Sequence, residues 1–315
     1  MASKYDTSVD LNNKNSSHTL IVELVGHGKR VLDVGASTGY LARALTERGC
    51  RVTGIELDPE SARQAEEHCD RVISGNVENL DLYEKLGDEP FDVIVFGDVL
   101  EHLEDPLRAL ERFKPFLGSG GHVVASIPNV AHGSVRLALL QGRFEYRSLG
   151  LLDNTHLRFF TRESVGRLFE DAGFLITDFR RTTQGIFMTE IEVDANRVPD
   201  DVVRLLQEDP EALTYQFVLT ARPYGGVEGP VAYHERPTGE LIGLLHELGS
   251  TSAGGEGFVY ELIRKLHDLE DLRHLLAIRT KQLARTELRV TGLAQEVVEL
   301  KDRLARVTQS GRSDA

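Results

Sequence analysis

The stretch VLDVGASTGYL, residues 31–41, decides the fold of this chain. An apolar run ends at Val34, and Gly35 follows it directly. A glycine placed there lets the backbone turn sharply and come close to a ligand. Gly39 then opens a helix-like segment. The stretch therefore predicts a strand, a tight turn and a helix.

The same alternation of strand-like and helix-like segments continues through residues 18–223. Residues 91–96, FDVIVF, are nearly all apolar, as expected for a strand that is covered on both faces. Alternating strands and helices predict an α/β fold with a doubly wound, seven-stranded and mostly parallel sheet. The predicted strands are residues 30–34, 51–56, 71–74, 91–96, 121–127, 174–179 and 215–221.

Composition excludes several classes of protein. The chain has 315 residues, a net charge of −14 and 41% hydrophobic residues, which suits a globular protein with a large core. The acidity argues against a broad nucleic-acid surface, which needs clustered Lys and Arg. No apolar run approaches the ~18–20 residues of a membrane span, and residues 1–17 lack the apolar stretch of a signal peptide. We therefore expect a cytoplasmic protein without a membrane span.

The C-terminal part has a different pattern. Residues 250–257, STSAGGEG, read as a flexible hinge. From Leu262 to Leu304 every seventh residue is apolar, which predicts a coiled-coil helix, with a single helix packed on the main domain as the alternative. The predicted division is a main domain over residues 1–223, a connecting region over 224–257 and a coil over 258–315.

An acidic residue follows the second predicted strand, about 20 residues after Gly35. It is Glu56, within GIELD. A carboxylate at this point can accept hydrogen bonds from ribose hydroxyls. Together with the glycine turn, Glu56 predicts a nucleoside-type cofactor.

Five segments, in order and spacing, resemble the class I S-adenosylmethionine-dependent methyltransferases. They are VLDVGASTG at residues 31–39, GIELD at 54–58, SGNVENL at 74–80, FDVIVFGDVLEHLEDP at 91–106 and RFFTRESVGRLFEDAGF at 158–174. The resemblance covers about residues 12–223. It implies the Rossmann-like methyltransferase fold, with S-adenosylmethionine as the cofactor.

The resemblance also implies which residues hold the cofactor. Glu56 would bind the ribose hydroxyls, and Asp98 would lie beside the methionine part. Asn76 stands where the family usually has Asp, and Ser37 where it usually has Gly. The full implied set is Asp33, Gly35, Ala36, Gly39, Glu56, Leu57, Asn76, Val77, Asp98 and Val99. Acidic side chains without a matching Lys or Arg suit a cationic sulfonium better than a pyrophosphate.

The connection at residues 128–161 is long, and long connections in compact domains are usually functional. His132 follows a predicted strand directly, so we expect it to face the methyl group as the general base. His156 is the second candidate, with Asp153 as a possible orienting carboxylate. His102, in the VLEHLEDP segment, is expected to orient local structure.

Four further residues are assigned to the acceptor. Two are arginines, whose side chains pair with phosphate or carboxylate groups. The other two stand near the end of the fifth predicted strand or within the connection. The four are Asn129, Arg136, Tyr146 and Arg158. We predict no metal site, since the Asp and His residues lack clustered ligand spacing, although distant residues can still converge on Mg²⁺.

The connection further resembles a bacterial subgroup associated with glycan and glycoside biosynthesis. That resemblance implies O-methylation of a sugar or glycan hydroxyl in polysaccharide biosynthesis. A small phenolic or quinone-like acceptor is the alternative, and a degenerate domain acting as a coiled-coil scaffold is the non-enzymatic one. The expected partners are a second copy of the chain, joined through the coil, or a coil-bearing glycosylation protein.

Overall fold

The structure is a computed structural model, and it describes residues 9–223. The predicted connecting region, the predicted coil and the self-association assigned to it lie outside the described residues. The helices are α1 Ser17–Val25, α2 Tyr40–Thr46, α3 Pro59–Ala65, α4 Leu82–Leu86, α5 Pro106–Phe113, α6 Gly133–Leu140, α7 Arg162–Asp171 and α8 Asp200–Gln207. The strands are β1 Arg30–Val34, β2 Arg51–Glu56, β3 Arg71–Ser74, β4 Phe91–Gly97, β5 Leu117–Pro128, β6 Phe174–Thr183 and β7 Thr214–Pro223.

All seven strands form one sheet in the order β3-β2-β1-β4-β5-β7-β6. β1 pairs in parallel with β2 and β4, and the parallel pairing continues to β3 on one side and β5 on the other. β7 runs antiparallel to both of its neighbours. The prediction of a seven-stranded, mostly parallel sheet with a Rossmann-like methyltransferase fold is therefore confirmed.

The middle of the sheet is the core of the domain. Val31 and Leu32 of β1 and Val93 and Ile94 of β4 are all fully buried, so these strands are covered on both faces. One apolar cluster joins α1 and α2 to this part of the sheet. Continuous apolar runs are the sequence pattern that such doubly covered strands require.

The order of the strands in the sheet creates a crevice for a ligand. The strand order reverses between β1 and β4, since the chain builds outward to β3 and then returns to the other side of β1. Ligands of open α/β sheets bind at this switch point, beyond the carboxyl ends of the strands. Gly35, Glu56 and Asp98 all stand at those ends.

Between residues 9 and 223, no helix combines the length and the apolar character needed to cross a bilayer.

Candidate active site

A cavity of about 960 Å³ opens at the carboxyl ends of β1 to β5. Its wall includes Gly35 after β1, Glu56 at the end of β2, Gly75 after β3 and Asp98 after β4. Sites for cofactors and small ligands typically measure roughly 300–1,000 Å³. The volume therefore has room for a nucleoside cofactor together with a small acceptor.

The glycine turn needs its glycines for steric reasons. Gly35 has φ +77°, and a Cβ placed there would lie 2.6 Å from Cγ2 of Val99. Gly39 has φ +81°, and its Cβ would lie 2.9 Å from the Cα of Ala65. Backbone and side chains pack too closely at both places for a larger residue. The turn therefore brings its backbone to the cavity edge, as the sequence predicts.

Glu56 joins this turn to the end of β2. One carboxylate oxygen, Oε2, accepts a hydrogen bond of 2.7 Å from the N–H of Ser37. The other, Oε1, accepts one of 2.8 Å from the N–H of Asp58. Two backbone donors fix the carboxylate at the cavity wall, where each oxygen keeps further capacity to accept a hydroxyl.

The predicted adenine side of the cavity is formed by the residues after β2 and β3. Leu57 lines the cavity with 63% of its surface exposed, so an apolar side chain is available for a flat ring. Asn76 and Val77 line it too, and Oδ1 of Asn76 accepts from the N–H of Glu78 at 2.9 Å. This bond holds the Asn76 loop in a turn.

Seven of the ten residues predicted for the cofactor line the cavity: Gly35, Glu56, Leu57, Asn76, Val77, Asp98 and Val99. Asp33, Ala36 and Gly39 lie behind the wall. The side chain of Asp33 is buried, and its Oδ2 has no hydrogen-bond partner within the described residues 9–223. Burial and the nearby Glu56 raise the pKa of Asp33 to about 7. Asp33 therefore lies beneath the turn rather than at the cavity surface.

The opposite wall carries a pair of histidines. His102 and His156 meet edge to face, with ring centroids 4.8 Å apart, and both line the cavity. Nδ1 of His102 lies 3.2 Å from the carbonyl oxygen of Thr155. Burial and the neighbouring His102 lower the pKa of His156 to about 4. The His156 ring is therefore neutral at physiological pH, the form that accepts a proton.

Asp153 lies in the same wall and is nearly buried. Its Oδ1 accepts from the Thr155 hydroxyl at 2.6 Å and from the Thr155 N–H at 2.8 Å. The charge of Asp153 acts on His156 in the direction that raises its pKa, against the larger effect of burial. Asp153 thus fixes the loop that carries His156 and biases its ring electrostatically.

Glu101 lies beneath the two histidines. It is 1% exposed, and neither carboxylate oxygen has a hydrogen-bond partner among residues 9–223. Burial, and then the charge of Asp98, raise the pKa of Glu101 well above its usual range. Glu101, His102 and His156 each bring one potential ligand atom within 4.8 Å of the others, so the three could hold a metal ion. The expectation that no metal takes part stays a prediction.

His132 is not among the residues that line the cavity, contrary to the expectation that it stands at the reacting centre. Its ring is fully buried outside the cavity wall. Nδ1 accepts from the N–H of Ser134 at 3.2 Å and caps the start of α6, while Nε2 lies 3.0 Å from the carbonyl oxygen of Gln184. Both ring nitrogens therefore hold backbone together, so the ring serves structure.

The four residues predicted for the acceptor also lie outside the cavity wall. Nδ2 of Asn129 donates to the carbonyl oxygens of Glu211 and Thr214, which ties β5 to the start of β7. Arg136 donates to the carboxylate of Asp209 at 2.5 Å.

Tyr146 and Arg158 lie farther along the same connection. Tyr146 is 57% exposed and contacts the rings of Phe144 and Phe159. Arg158 donates to the carbonyl oxygen of Glu104. The prediction that these side chains touch the acceptor is therefore not supported by the cavity geometry.

Sequence reasoning missed several cavity residues. Tyr40 and His18 come from α2 and α1, and Gln216 comes from β7. Glu101 stands inside a quoted motif, but it was given no role. An acidic residue next to a histidine in the segment after β4 was the signal that could have identified it.

Fold and site together define a class I methyltransferase: a glycine turn after β1, an acid after β2 and a shared cavity at the switch point. The methyltransferase-domain family matches residues 16–178, more than half of the chain. This chain belongs to that family. The predictions of a methyltransferase and of S-adenosylmethionine as its cosubstrate are thereby confirmed at the level of the family.

Similar proteins include O-methyltransferases of ubiquinone biosynthesis. The chain is 29% identical over 172 residues to the ubiquinone biosynthesis O-methyltransferase of Psychrobacter arcticus, covering 52% of this chain and 66% of that protein. It is 30% identical over 159 residues to the enzyme of the same name from Paraburkholderia phymatum, covering 50% and 68%. The matches to the first three such relatives span less than two thirds of their length, 61 to 66%.

Solved structures with a similar fold include two methyltransferases. One is the Burkholderia thailandensis 1,6-didemethyltoxoflavin N1-methyltransferase with bound S-adenosylhomocysteine, with TM-score 0.43 and 21% identity over 68% of this chain and 81% of that one. The other is a SAM-dependent methyltransferase from Archaeoglobus fulgidus, with TM-score 0.45 and 18% identity over 65% and 94%.

Proposed function

We propose that this chain transfers a methyl group from S-adenosylmethionine to a hydroxyl of a small phenolic or quinone-derived acceptor. The observation that carries the proposal is the shape of one cavity. Its donor wall contains Gly35 and Glu56, and its acceptor wall contains His102 and His156. One cavity therefore has a wall for the cofactor and a wall with groups that can accept a proton, as direct transfer of the methyl group requires.

The reaction needs few groups beyond correct positioning. The acceptor oxygen attacks the methyl carbon, the carbon–sulfur bond breaks, and its electron pair goes to sulfur. The positive charge of the sulfonium disappears, leaving neutral sulfur in S-adenosylhomocysteine. The hydroxyl proton passes to a ring nitrogen of His156, which replaces His132 as the base.

The low pKa of His156 favours a phenolic over a sugar acceptor. Burial and His102 lower this pKa to about 4, so the neutral ring is a weak base. Proton transfer to a weak base is easier from a more acidic hydroxyl. A phenol, with a pKa of about 10 as in tyrosine, is a better match than the less acidic hydroxyl of a sugar.

The surroundings of the connection also support an apolar acceptor. Phe144, Tyr146 and Phe159 form a cluster of rings, and Phe159 contacts the ring of His156. Aromatic side chains of this kind suit a flat apolar ring. These rings lie outside the cavity wall, and Phe159 places them beside the ring of His156.

The arginines of the connection, which first suggested an anionic glycan, are engaged within the protein. Arg136 pairs with Asp209, and Arg143 lies 3.1 Å from Glu145. Arg147 lies 3.5 Å from Glu192. Side chains used in this way give little support to a phosphate or carboxylate on the acceptor. The relatives, which are O-methyltransferases of ubiquinone biosynthesis by name, point the same way.

A transfer assay tests the proposal and separates it from its rivals. Purified full-length protein is incubated with S-adenosylmethionine labelled in the methyl group, and with either a dihydroxybenzoate, a hydroquinone, a free sugar or a nucleotide sugar. We expect labelled ether only from the aromatic acceptors. Transfer to the sugars alone would restore the glycan hypothesis, and absence of cofactor binding would leave the scaffold hypothesis.

A further inference from the structure

Asp98 has an unusual backbone conformation at the centre of the cavity. It follows β4 directly with φ +54°, in the left-handed region that residues other than glycine seldom occupy. Its N–H lies 3.0 Å from Oγ of Ser126 and 3.3 Å from the carbonyl oxygen of the same residue. Strained backbone of this kind persists where the surrounding contacts enforce it, and it concentrates at functional sites.

The carboxylate of Asp98 is held by two donors. Its Oδ1 accepts from the hydroxyl of Ser126 at 2.6 Å and from Nε2 of Gln216 at 2.8 Å. Ser126 is fully buried on β5, where it pairs with Gly97 of β4. Two donors on one oxygen fix the orientation of the carboxylate, since rotation would break at least one bond.

The second oxygen of this carboxylate is left for a ligand. Within residues 9–223, Oδ2 of Asp98 makes no hydrogen bond, and Asp98 lines the cavity. Oδ2 is not a buried atom, so it is accessible from the cavity. The oxygen that Gln216 and Ser126 do not use is therefore the one open to the cavity.

The charge of Asp98 reaches both halves of the cavity. Burial, and then the charge of Asp98, raise the pKa of Tyr40 on the donor side and of Glu101 on the acceptor side. Among the described residues that line the cavity, none is Lys or Arg. An accessible carboxylate between the two halves thus offers its negative charge to a cation bound there.

We propose that Gln216 is a positioning residue for the methyl donor, which acts by fixing the Asp98 carboxylate toward the cationic methionine part of S-adenosylmethionine. The inference rests on the proposed function for the identity of the donor. It gives β7, which runs antiparallel to both of its neighbours, an indirect part in cofactor binding. Gln216 acts through the orientation of the Asp98 carboxylate.

The side chain of Gln216 can be changed without disturbing the strand. β7 pairs with β5 from Gln216 to Ala221 and with β6 between Thr214 and Pro223. The backbone N–H of Gln216 is bonded separately, to Oγ1 of Thr182 at 3.2 Å. Gln216→Met keeps the approximate length of the side chain and removes the amide group, and with it the Nε2 donor.

A double-mutant cycle on cofactor affinity tests this role. Calorimetry measures the dissociation constant of S-adenosylmethionine for the wild type, Gln216→Met, Asp98→Asn and the double variant of the full chain. We expect Gln216→Met to weaken binding about five- to tenfold, less than the full value of a hydrogen bond to a charged group, because Gln216 acts through Asp98 and the bond from Ser126 remains. In the Asp98→Asn background, where the charge is gone, the same change should weaken binding less than about twofold.

Thr220→Val is the matched control, since Thr220 lies on the same strand outside the cavity wall and bonds to Thr177. Its affinity should equal that of the wild type, and all variants should have similar melting temperatures. An equal loss from Gln216→Met in both backgrounds, or no loss in either, would overturn the positioning role alone. A wild type that fails to bind the cofactor would overturn the proposed function together with it.

Discussion

The rings of His102 and His156 meet edge to face at 4.8 Å on the acceptor wall of the cavity. His102 comes from the short turn after β4, and His156 comes from the long connection after β5. The charge of His102 opposes protonation of His156, because like charges repel. We propose that the acceptor gives up its proton at this pair.

His156→Gln should lower the turnover number with little change in cofactor affinity. The variant keeps a polar side chain but loses the basic ring nitrogen, and general bases typically contribute roughly 10²–10⁴-fold. Turnover is measured under saturating S-adenosylmethionine, and affinity by calorimetry. His27→Gln, an exposed histidine before β1, is the control and should behave as the wild type. Unchanged turnover in His156→Gln would remove the base assignment.

His132→Ala should act on stability rather than on chemistry. The variant removes the cap of α6 and the bond to Gln184, and loss of a helix cap costs about 0.5–2 kcal/mol. We expect a lower melting temperature, with turnover of the folded protein near the wild-type value. If turnover fell by orders of magnitude while the melting temperature stayed constant, His132 would have to be the base after all.

Glu56→Gln should weaken cofactor affinity by at least about tenfold, since a charge-assisted bond to a ribose hydroxyl is lost. One oxygen remains to accept from Ser37 or Asp58, so the turn should persist. Glu47→Gln, on the exposed surface after α2, serves as the comparison in the same calorimetric titration. Equal affinity in the two variants would show that Glu56 does not hold the cofactor.

Binding of S-adenosylmethionine should strengthen as the pH rises from 6 to 8. Burial and Glu56 raise the pKa of Asp33 to about 7, so Asp33 is largely protonated below that pH. A cation bound near Asp33 favours the ionised carboxylate of Asp33. Binding of the cofactor therefore releases a proton, and a low pH weakens the affinity. We expect affinity to rise about three- to tenfold across this interval, and the slope to disappear in Asp33→Asn.

Titrations in two buffers of different ionisation enthalpy measure the released proton directly. A slope that persists unchanged in Asp33→Asn would assign the pH dependence to another group.

Much of the donor half was predictable because its signals are local. The glycine turn, Glu56 and the segment from Phe91 to Asp98 each combine a strand with the loop after it, and parallel strands bring their carboxyl ends to one edge. Neighbouring residues thus become neighbouring parts of one wall. Seven of the residues predicted for the cofactor line the cavity for this reason.

The acceptor half was predicted less well, because its contacts join distant parts of the chain. His132 stands right after a strand, but α6 begins at the next residue and turns the ring into a helix cap. Arg136 meets Asp209 across 73 residues, and Gln216 meets Asp98 across 118. No local pattern announces such pairs. The choice between His132 and His156 therefore needed the folded structure.

We propose that the cavity joins S-adenosylmethionine to a small aromatic hydroxyl. The most direct test is mass spectrometry of the products formed from a dihydroxybenzoate and from a nucleotide sugar, offered together at equal concentration with S-adenosylmethionine. We expect a gain of one methyl group on the aromatic compound and S-adenosylhomocysteine in equal amount. A methylated sugar with an unchanged aromatic compound would contradict the proposed acceptor.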